Sequence, residues 1–224
     1  MAKIRIDKYL ADAGFGSRKD VKGLLKAKQV TINGETCVHA EEKLEPAQDV
    51  VCVQGKMVVY ESFSYYMLHK PQGVVSATKD ANEKTVVNLI TEQKRRDLFP
   101  VGRLDKDTEG LLLLTNDGKL SNDLLAPGKH VEKTYYARIK GMVTKKEVAA
   151  FAEGVDELLT APAELKIHKA GSESEIEITI TEGRYHQIKR MFEAVGMQVL
   201  YLKRLRMGPL YLDESLACGE YRKI

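Results

Sequence analysis

Three segments hold side chains whose types and spacing could do acid–base or nucleophilic chemistry. Residues 102–118, GRLDKDTEGLLLLTNDG, set two carboxylates, Asp105 and Asp107, close to Arg103 in a glycine- and charge-rich loop. A carboxylate there can serve as nucleophile or base, or it can do no more than pair with Arg103 and cap a turn. Residues 183–192, GRYHQIKRMF, read as a helix that aligns Tyr185, Ile188 and Phe192 on one face. Lys189 then leans toward that face, where it either snorkels to water or pairs with a carboxylate and favours its charged form. Residues 133–135, KTY, open a strand containing Tyr135 and Tyr136. Alternation sends these rings to opposite faces, so at most one reaches a shared site, where it could stack on an extruded base.

The elements around these segments must hold them still. Leu111–Leu114 form a buried strand, which pins the loop before it; loops anchored on rigid elements are where reactive groups tend to sit. Further strands are expected at 64–69, 134–140, 163–168, 175–181 and 198–206. The alternation of EIEITIT at 175–181 marks one buried and one polar face. Helices are expected at 86–91, 119–126, 144–153 and 184–195, with Thr144 and Glu147 as a capping box and Gly154 and Gly196 as stops. Strands dominate and the helices interrupt them irregularly, so the larger part of the chain is expected to be α+β with a mixed, mainly antiparallel sheet and flanking helices.

The first sixty residues have a different rhythm. Ile6, Tyr9, Leu10 and Ala13 recur at helical spacing up to Gly14, and Ser17 with Asp20 begins a second helix through a capping-box pattern. Val30-Thr31-Ile32, the hairpin signal Asn33-Gly34 and a strand near Asp49 to Val53 complete a small helix–turn–helix–hairpin module. The boundary is placed near residue 60, giving domains 1–60 and 61–224.

Other familiar chemistries are not signalled. GFGSRK at 14–19 begins like a dinucleotide fingerprint, but position 19 is Lys and no strand precedes it; phosphate-loop, zinc-protease and nucleophile-elbow motifs are absent. The five histidines lack ligand spacing, so neither a metal site nor a cofactor is expected. Three cysteines without a C-x-x-C pair favour reduced thiols and a cytoplasmic setting. The longest apolar run, Val148 to Ala152, is far short of the ~20 residues of a membrane span, and MAKIRID offers no signal-peptide core.

Among 224 residues, 35 basic and 32 acidic side chains leave a net charge of only +3. Its distribution is uneven. Residues 1–34 carry eight Lys or Arg against three Asp, residues 35–61 two lysines against six acids, and residues 184–206 six bases against Glu193 alone. Two basic blocks with structure beneath them fit a surface that tracks phosphates.

Taken in order, the motifs resemble those of bacterial rRNA pseudouridine synthases of the small-subunit (16S) type, over nearly the whole chain. RIDKYLADAGFGSRKD and VTING resemble an S4 RNA-binding module, HKPQGVVSAT at 69–78 the family's first motif, and GRLDKDTEG at 102–110 its catalytic loop. KTY, GRYHQIKRMF and the tail from LKRLRMGPLYL to GEYR also match. One departure is Lys28-Gln29, where the S4 pattern commonly has Gly-Arg; it bears on a turn and one phosphate contact.

The resemblance implies that uridine is swung out of RNA, detached at N1–C1′, rotated and rejoined through C5. It makes Asp105 the catalytic aspartate, acting as nucleophile at C1′ or base at C2′. Tyr135 becomes the residue that stacks on the base and helps remove the C5 proton, and Lys189 the basic partner of Asp105. RNA contacts are expected from Arg5, Lys8, Arg18, Lys19, Lys22, Lys26, Lys70, Arg103, Arg184, His186, Gln187 and Arg190. The implied partner is ribosomal RNA or a pre-ribosomal particle, met by a monomer away from any membrane. A large-subunit (23S) synthase and a non-catalytic ribosome-assembly factor are the alternatives.

Overall fold

The computed structural model describes residues 3–92, 97–155 and 158–224. Its contacts divide into two compact units: the described residues of Met1–Ser64 with those of Thr91–Leu98, and Tyr65–Ile90 with the described residues of Phe99–Ile224. No helix among the described residues is long and apolar enough to cross a membrane.

In the first unit, β1 (Ile4–Arg5) leads into α1 (Ile6–Asp12) and α2 (Arg18–Lys26), followed by β2 (Val30–Ile32), β3 (Glu35–Thr36), β4 (Lys43–Leu44), β5 (Val51–Val53) and β6 (Lys56–Met57). Gly14 takes the left-handed conformation after α1, and the Ser17–Asp20 capping box starts α2, both as the sequence implied. Ile6, Tyr9, Leu10, Val21 and Leu25 close over Val30 and Val51 to form the core. Asn33 (φ 52°) and Gly34 (φ 87°) make the β2–β3 hairpin, and β2 also pairs with β5. Lys28 sits at φ 55°, so the turn before β2 keeps a left-handed residue although its side chain is not glycine. Such a conformation costs on the order of 1 kcal/mol outside glycine.

In the second unit the strands are β7 (Tyr65–Lys70), β8 (Phe99–Pro100), β9 (Glu109–Thr115), β10 (Lys133–Lys140), β11 (Glu164–Lys169), β12 (Glu173–Ile180), β13 (Gln198–Met207), β14 (Leu210–Tyr211) and β15 (Tyr221–Lys223). They form one nine-stranded sheet in the order β11-β12-β10-β13-β9-β7-β15, with β14 on β13 and β8 on β9. Every pairing is antiparallel except β13 with β9, so the expected mixed sheet is found. All four leucines of β9 are buried, and Ile176, Ile178 and Ile180 of β12 point inward between half-buried partners.

Helices α3 (Gly118–Leu125), α4 (Lys145–Glu153) and α5 (Gln187–Ala194) flank this sheet. Asp117 caps α3 through the N–H groups of Lys119 and Leu120, and Thr144 with Glu147 boxes the start of α4. Phe151 of α4 meets Phe192 of α5 edge to face at 5.0 Å; fully burying such a ring stabilises by about 1.5–3 kcal/mol.

Two expected helices are shorter in the structure. The segment 86–91 is only a 3-10 turn, Val86–Leu89, because Thr85 and Asn88 close a local box and Thr85 also bridges to Val75. The segment 184–195 becomes helical only at Gln187, since His186 is left-handed (φ 49°) and the Gln187 side chain accepts the Arg184 N–H.

Candidate active site

The loop 101–108 joins β8 to β9, and the strip after β7 frames it. Lys70, the last residue of β7, is completely buried and donates its ammonium to the carbonyls of Pro71 (3.0 Å), Asp105 (3.0 Å) and Thr108 (2.9 Å). Burial lowers its pKa to about 8, while the carboxylates of Asp105, Asp107 and Glu109 act in the opposite sense, so at pH 7 it remains a cation inside the loop. Gly73 N–H donates to Lys106 O, and the Ser76 hydroxyl both donates to Leu104 O and accepts from Leu104 N–H. HKPQGVVSAT is therefore scaffolding for the loop that carries Asp105. At the far end Gly110 has φ 107°, and a Cβ there would overlap the backbone of Arg204 on β13. Only glycine lets β9 and β13 approach so closely.

Asp105 opens onto a cleft of ≈ 290 Å³ lined also by Leu104, Thr108, Tyr135, Ile180, His186, Lys189 and Leu202. Lys189 reaches it from the first turn of α5. Its ammonium is 3.6 Å from Asp105 Oδ2 but only 2.6 Å from Asp107 Oδ1. The hydrogen bond from Lys189 holds the Asp107 carboxyl below the usual carboxylate range. His186 Nε2 lies 3.5 Å from Asp105 Oδ1. The Asp105 carboxylate is thus flanked by two basic side chains, and Lys189 is shared with the more exposed Asp107. Tyr135 comes from the middle of the sheet, buried at 7% exposure, while Tyr136 faces away and donates to Glu175. The two rings divide as alternation requires.

The remaining expected residues separate into exposed and spent groups. Arg103, Arg184 and Arg190 are exposed near the cleft-forming segments, although Arg184 donates to Glu182 and to Leu158 O. Gln187 is buried, donating to Glu182 and accepting from Arg184 N–H, and Lys70 is spent on carbonyls; neither side chain is at the surface for RNA. Tyr185 does not join Ile188 and Phe192 on a helical face. It is 68% exposed and stacked on His186, with ring centroids 3.8 Å apart, because the helix begins after it.

In the N-terminal unit Arg5 forms a two-pronged contact with Asp7 (3.1 and 3.0 Å), and Lys8 pairs with Asp12 (2.7 Å). Arg18, Lys19, Lys22 and Lys26 line the exposed side of α2 and form no ion pair among the described residues. Among the described residues of this unit, α2 therefore carries four exposed cations outside any ion pair.

Sequence reasoning missed Arg204. It is 2% exposed, donates Nε to Leu111 O (2.8 Å), and leaves Nη2 without a partner among the described residues. It lines an adjoining cavity of ≈ 390 Å³ with Lys133 and Tyr135. Its alternation along β13 beside half-buried Lys203 and Leu205 was the available signal.

The family model described as RNA pseudouridylate synthase matches residues 64–194, which include Asp105, Tyr135 and Lys189. The chain belongs to the RNA pseudouridine synthase family. It is an isomerase of uridine in RNA, and the S4 domain model matches residues 4–58. Over 227 residues this synthase is 48% identical to the uncharacterized RNA pseudouridine synthase YtzG of Bacillus subtilis, spanning 99% of this chain and 95% of that relative. It is 40% identical to ribosomal small subunit pseudouridine synthase A of Yersinia pestis and 39% identical to that of Escherichia coli K12, over 99% of this chain in each case and 94% and 96% of theirs. A crystal structure of a pseudouridylate synthase superposes with a TM-score of 0.68 at 36% identity, covering 99% of this chain and 96% of that one.

Proposed function

We propose that this synthase converts a uridine of small-subunit (16S) ribosomal RNA to pseudouridine. The observation that carries the reading is the convergence of Asp105, Tyr135 and Lys189 on one cleft from a loop, a sheet strand and a helix far apart in sequence. The extruded uridine enters beside Tyr135, whose ring stacks on the base. Asp105 acts at the ribose end as the N1–C1′ bond breaks. The base turns within the cleft, C5 bonds to C1′, the C5 proton leaves and N1 takes up a proton, so that product and substrate are isomers. Lys189 and His186 hold the Asp105 carboxylate at the two edges seen in the structure. Base extrusion costs a few kcal/mol, which stacking and phosphate contacts offset.

Within this reading the chain divides near residue 60 into an RNA-docking module and a catalytic domain. The exposed basic side of α2 docks structured RNA, and Arg103, Arg184 and Arg190 meet phosphates around the cleft. The protein works as a cytoplasmic monomer in ribosome biogenesis, on rRNA or a pre-ribosomal particle. The small-subunit target is supported by the names and full-length match of the Yersinia and Escherichia relatives. Pseudouridine mapping of all rRNAs from cells with and without this protein tests it. One 16S position should lose its modification; loss confined to 23S rRNA would reassign the substrate, and no loss in any rRNA would leave the assembly-factor reading.

A further inference from the structure

Where β7, β9 and the tail before β15 meet, the fold gathers three donor groups from separate segments. His69 of β7, Glu109 at the start of β9 and Cys218 in the tail before β15 present a ring nitrogen, a carboxylate oxygen and a thiol sulfur, all within 4.8 Å of one another. His69 is 7% exposed. Its Nδ1 lies 2.8 Å from Leu216 O, which can only accept, so Nδ1 carries the hydrogen and the other ring nitrogen of a neutral imidazole is a bare lone pair. That nitrogen, Nε2, is buried and has no hydrogen-bond partner among the described residues. Glu109 is also oriented: Tyr201 donates to its Oε2 at 2.6 Å, leaving Oε1 for another partner.

A histidine whose Nδ1–H is held by a backbone carbonyl, and a carboxylate braced by a hydroxyl, have the outer contacts that orient metal ligands. We propose that His69 Nε2, Glu109 and Cys218 bind one Zn²⁺ ion, with solvent in the fourth position. Imidazole, thiolate and carboxylate together suit zinc rather than magnesium or calcium, which take oxygen ligands. Bond lengths of about 2.0–2.3 Å in a tetrahedron set donor separations of about 3.3–3.6 Å, so donors already within 4.8 Å of one another need only a small closure when the ion enters. Binding replaces the thiol proton with the metal and releases that proton to solvent. Burial and the Glu109 carboxylate push the Cys218 thiol up, against Lys203 and Lys70; Zn²⁺ would neutralise the thiolate and Glu109 together. Cys218 is exposed, and His69 borders a cavity of ≈ 600 Å³.

The ion would add a link where the chain already closes. His69 N–H donates to Glu220 O and Gly219 N–H donates to His69 O, so the tail is fastened to β7 on both sides of the ring. Zn²⁺ extends this fastening to β9, whose first residue is Glu109.

The test uses the full chain, stripped by chelator and titrated with Co²⁺ and then with Zn²⁺ in competition. One Co²⁺ per chain should bind with a thiolate-to-cobalt charge-transfer band that Zn²⁺ abolishes, and Zn²⁺ should raise the thermal midpoint. Cys218→Ser, at an exposed position, should remove the band and weaken Zn²⁺ at least about 100-fold, since removing even a group that only orients a ligand costs about 10–100-fold. Glu109→Gln should weaken binding, and Cys52→Ser should leave it intact. Absence of stoichiometric binding overturns the proposal. So does a thiolate band that survives Cys218→Ser, or one abolished equally in Cys52→Ser, with folding verified by circular dichroism in each case.

Discussion

Replacing Lys70 with methionine isolates the scaffold under Asp105 from the chemistry itself. Methionine keeps the stem's length and removes the ammonium that three carbonyls share. Asp105 O retains the N–H of Thr108 at 3.0 Å, so the Pro71 and Thr108 carbonyls lose most. Each buried acceptor left unpaired costs about 1–3 kcal/mol, and removing a buried charge returns part of its desolvation cost. A net loss of about 3 kcal/mol results, which lowers the melting temperature by about 6–12 °C for a unit of this size. Turnover should fall more steeply than stability suggests, because an ångström of misplacement at the loop costs about 100-fold. Thermal unfolding and single-turnover release of tritium from 5-tritiated uridine in an rRNA transcript read both effects, and RNA affinity should hardly change. A Lys70→Met protein that melts at the wild-type temperature and turns over normally would refute the scaffold argument. The loop would then rest on its other contacts, among them those of Gly73, Ser76 and Lys189.

Lys189→Met should slow the single-turnover step without weakening RNA binding, whereas Asp107→Asn should cost less than about 10-fold in rate and under about 1 kcal/mol in stability, since the Asp107 side chain is 69% exposed. Equal rate losses would mean that the lysine acts through Asp107. Arg18→Ala, Lys19→Ala and Lys22→Ala together should flatten the dependence of log affinity on log salt by about 2–3, at roughly 0.7–0.9 for each phosphate no longer neutralised. Arg5→Ala with Lys8→Ala should flatten it less, because Asp7 and Asp12 already pair those cations; the reverse ranking would move the docking surface off α2. Asp117→Ala removes the cap of α3 and should cost about 1 kcal/mol at neutral pH. The Leu120 N–H and its neighbours hold the Asp117 carboxyl below its ordinary value. Its contribution is therefore full above the unfolded pKa near about 3.9 and disappears as pH falls through the lower folded value. Urea unfolding at neutral pH and in that acid window should show the wild-type and variant curves converging; a constant gap would count against the cap.

Periodicity, caps and turn residues carried most of the fold. The leucines of β9, the alternating isoleucines of β12 and the boxes at Ser17 and Thr144 each depend on residues within a few positions, and all stand as the sequence implied. Strands of two or three residues did not stand out. β15 is defined by its partner β7 rather than by three residues of its own. Asp105, Tyr135 and Lys189 could be singled out because each lies in a dense motif, and the structure brings the three to one cleft. The burial of Lys70 and Gln187 was not, since a lysine or glutamine reads as surface until its carbonyl or carboxylate partners come from elsewhere. His69, Glu109 and Cys218 show the same limit, since only the β7–β9–tail arrangement makes neighbours of them.

The chemistry assigned to Asp105 has the most direct test. Asp105→Ala protein, verified by an unchanged melting temperature and salt-dependent RNA binding, should form pseudouridine in an rRNA transcript at least about 10³-fold more slowly than wild type, the scale on which loss of a reacting residue is felt. Wild-type pseudouridine formation by a folded Asp105→Ala protein would contradict the account.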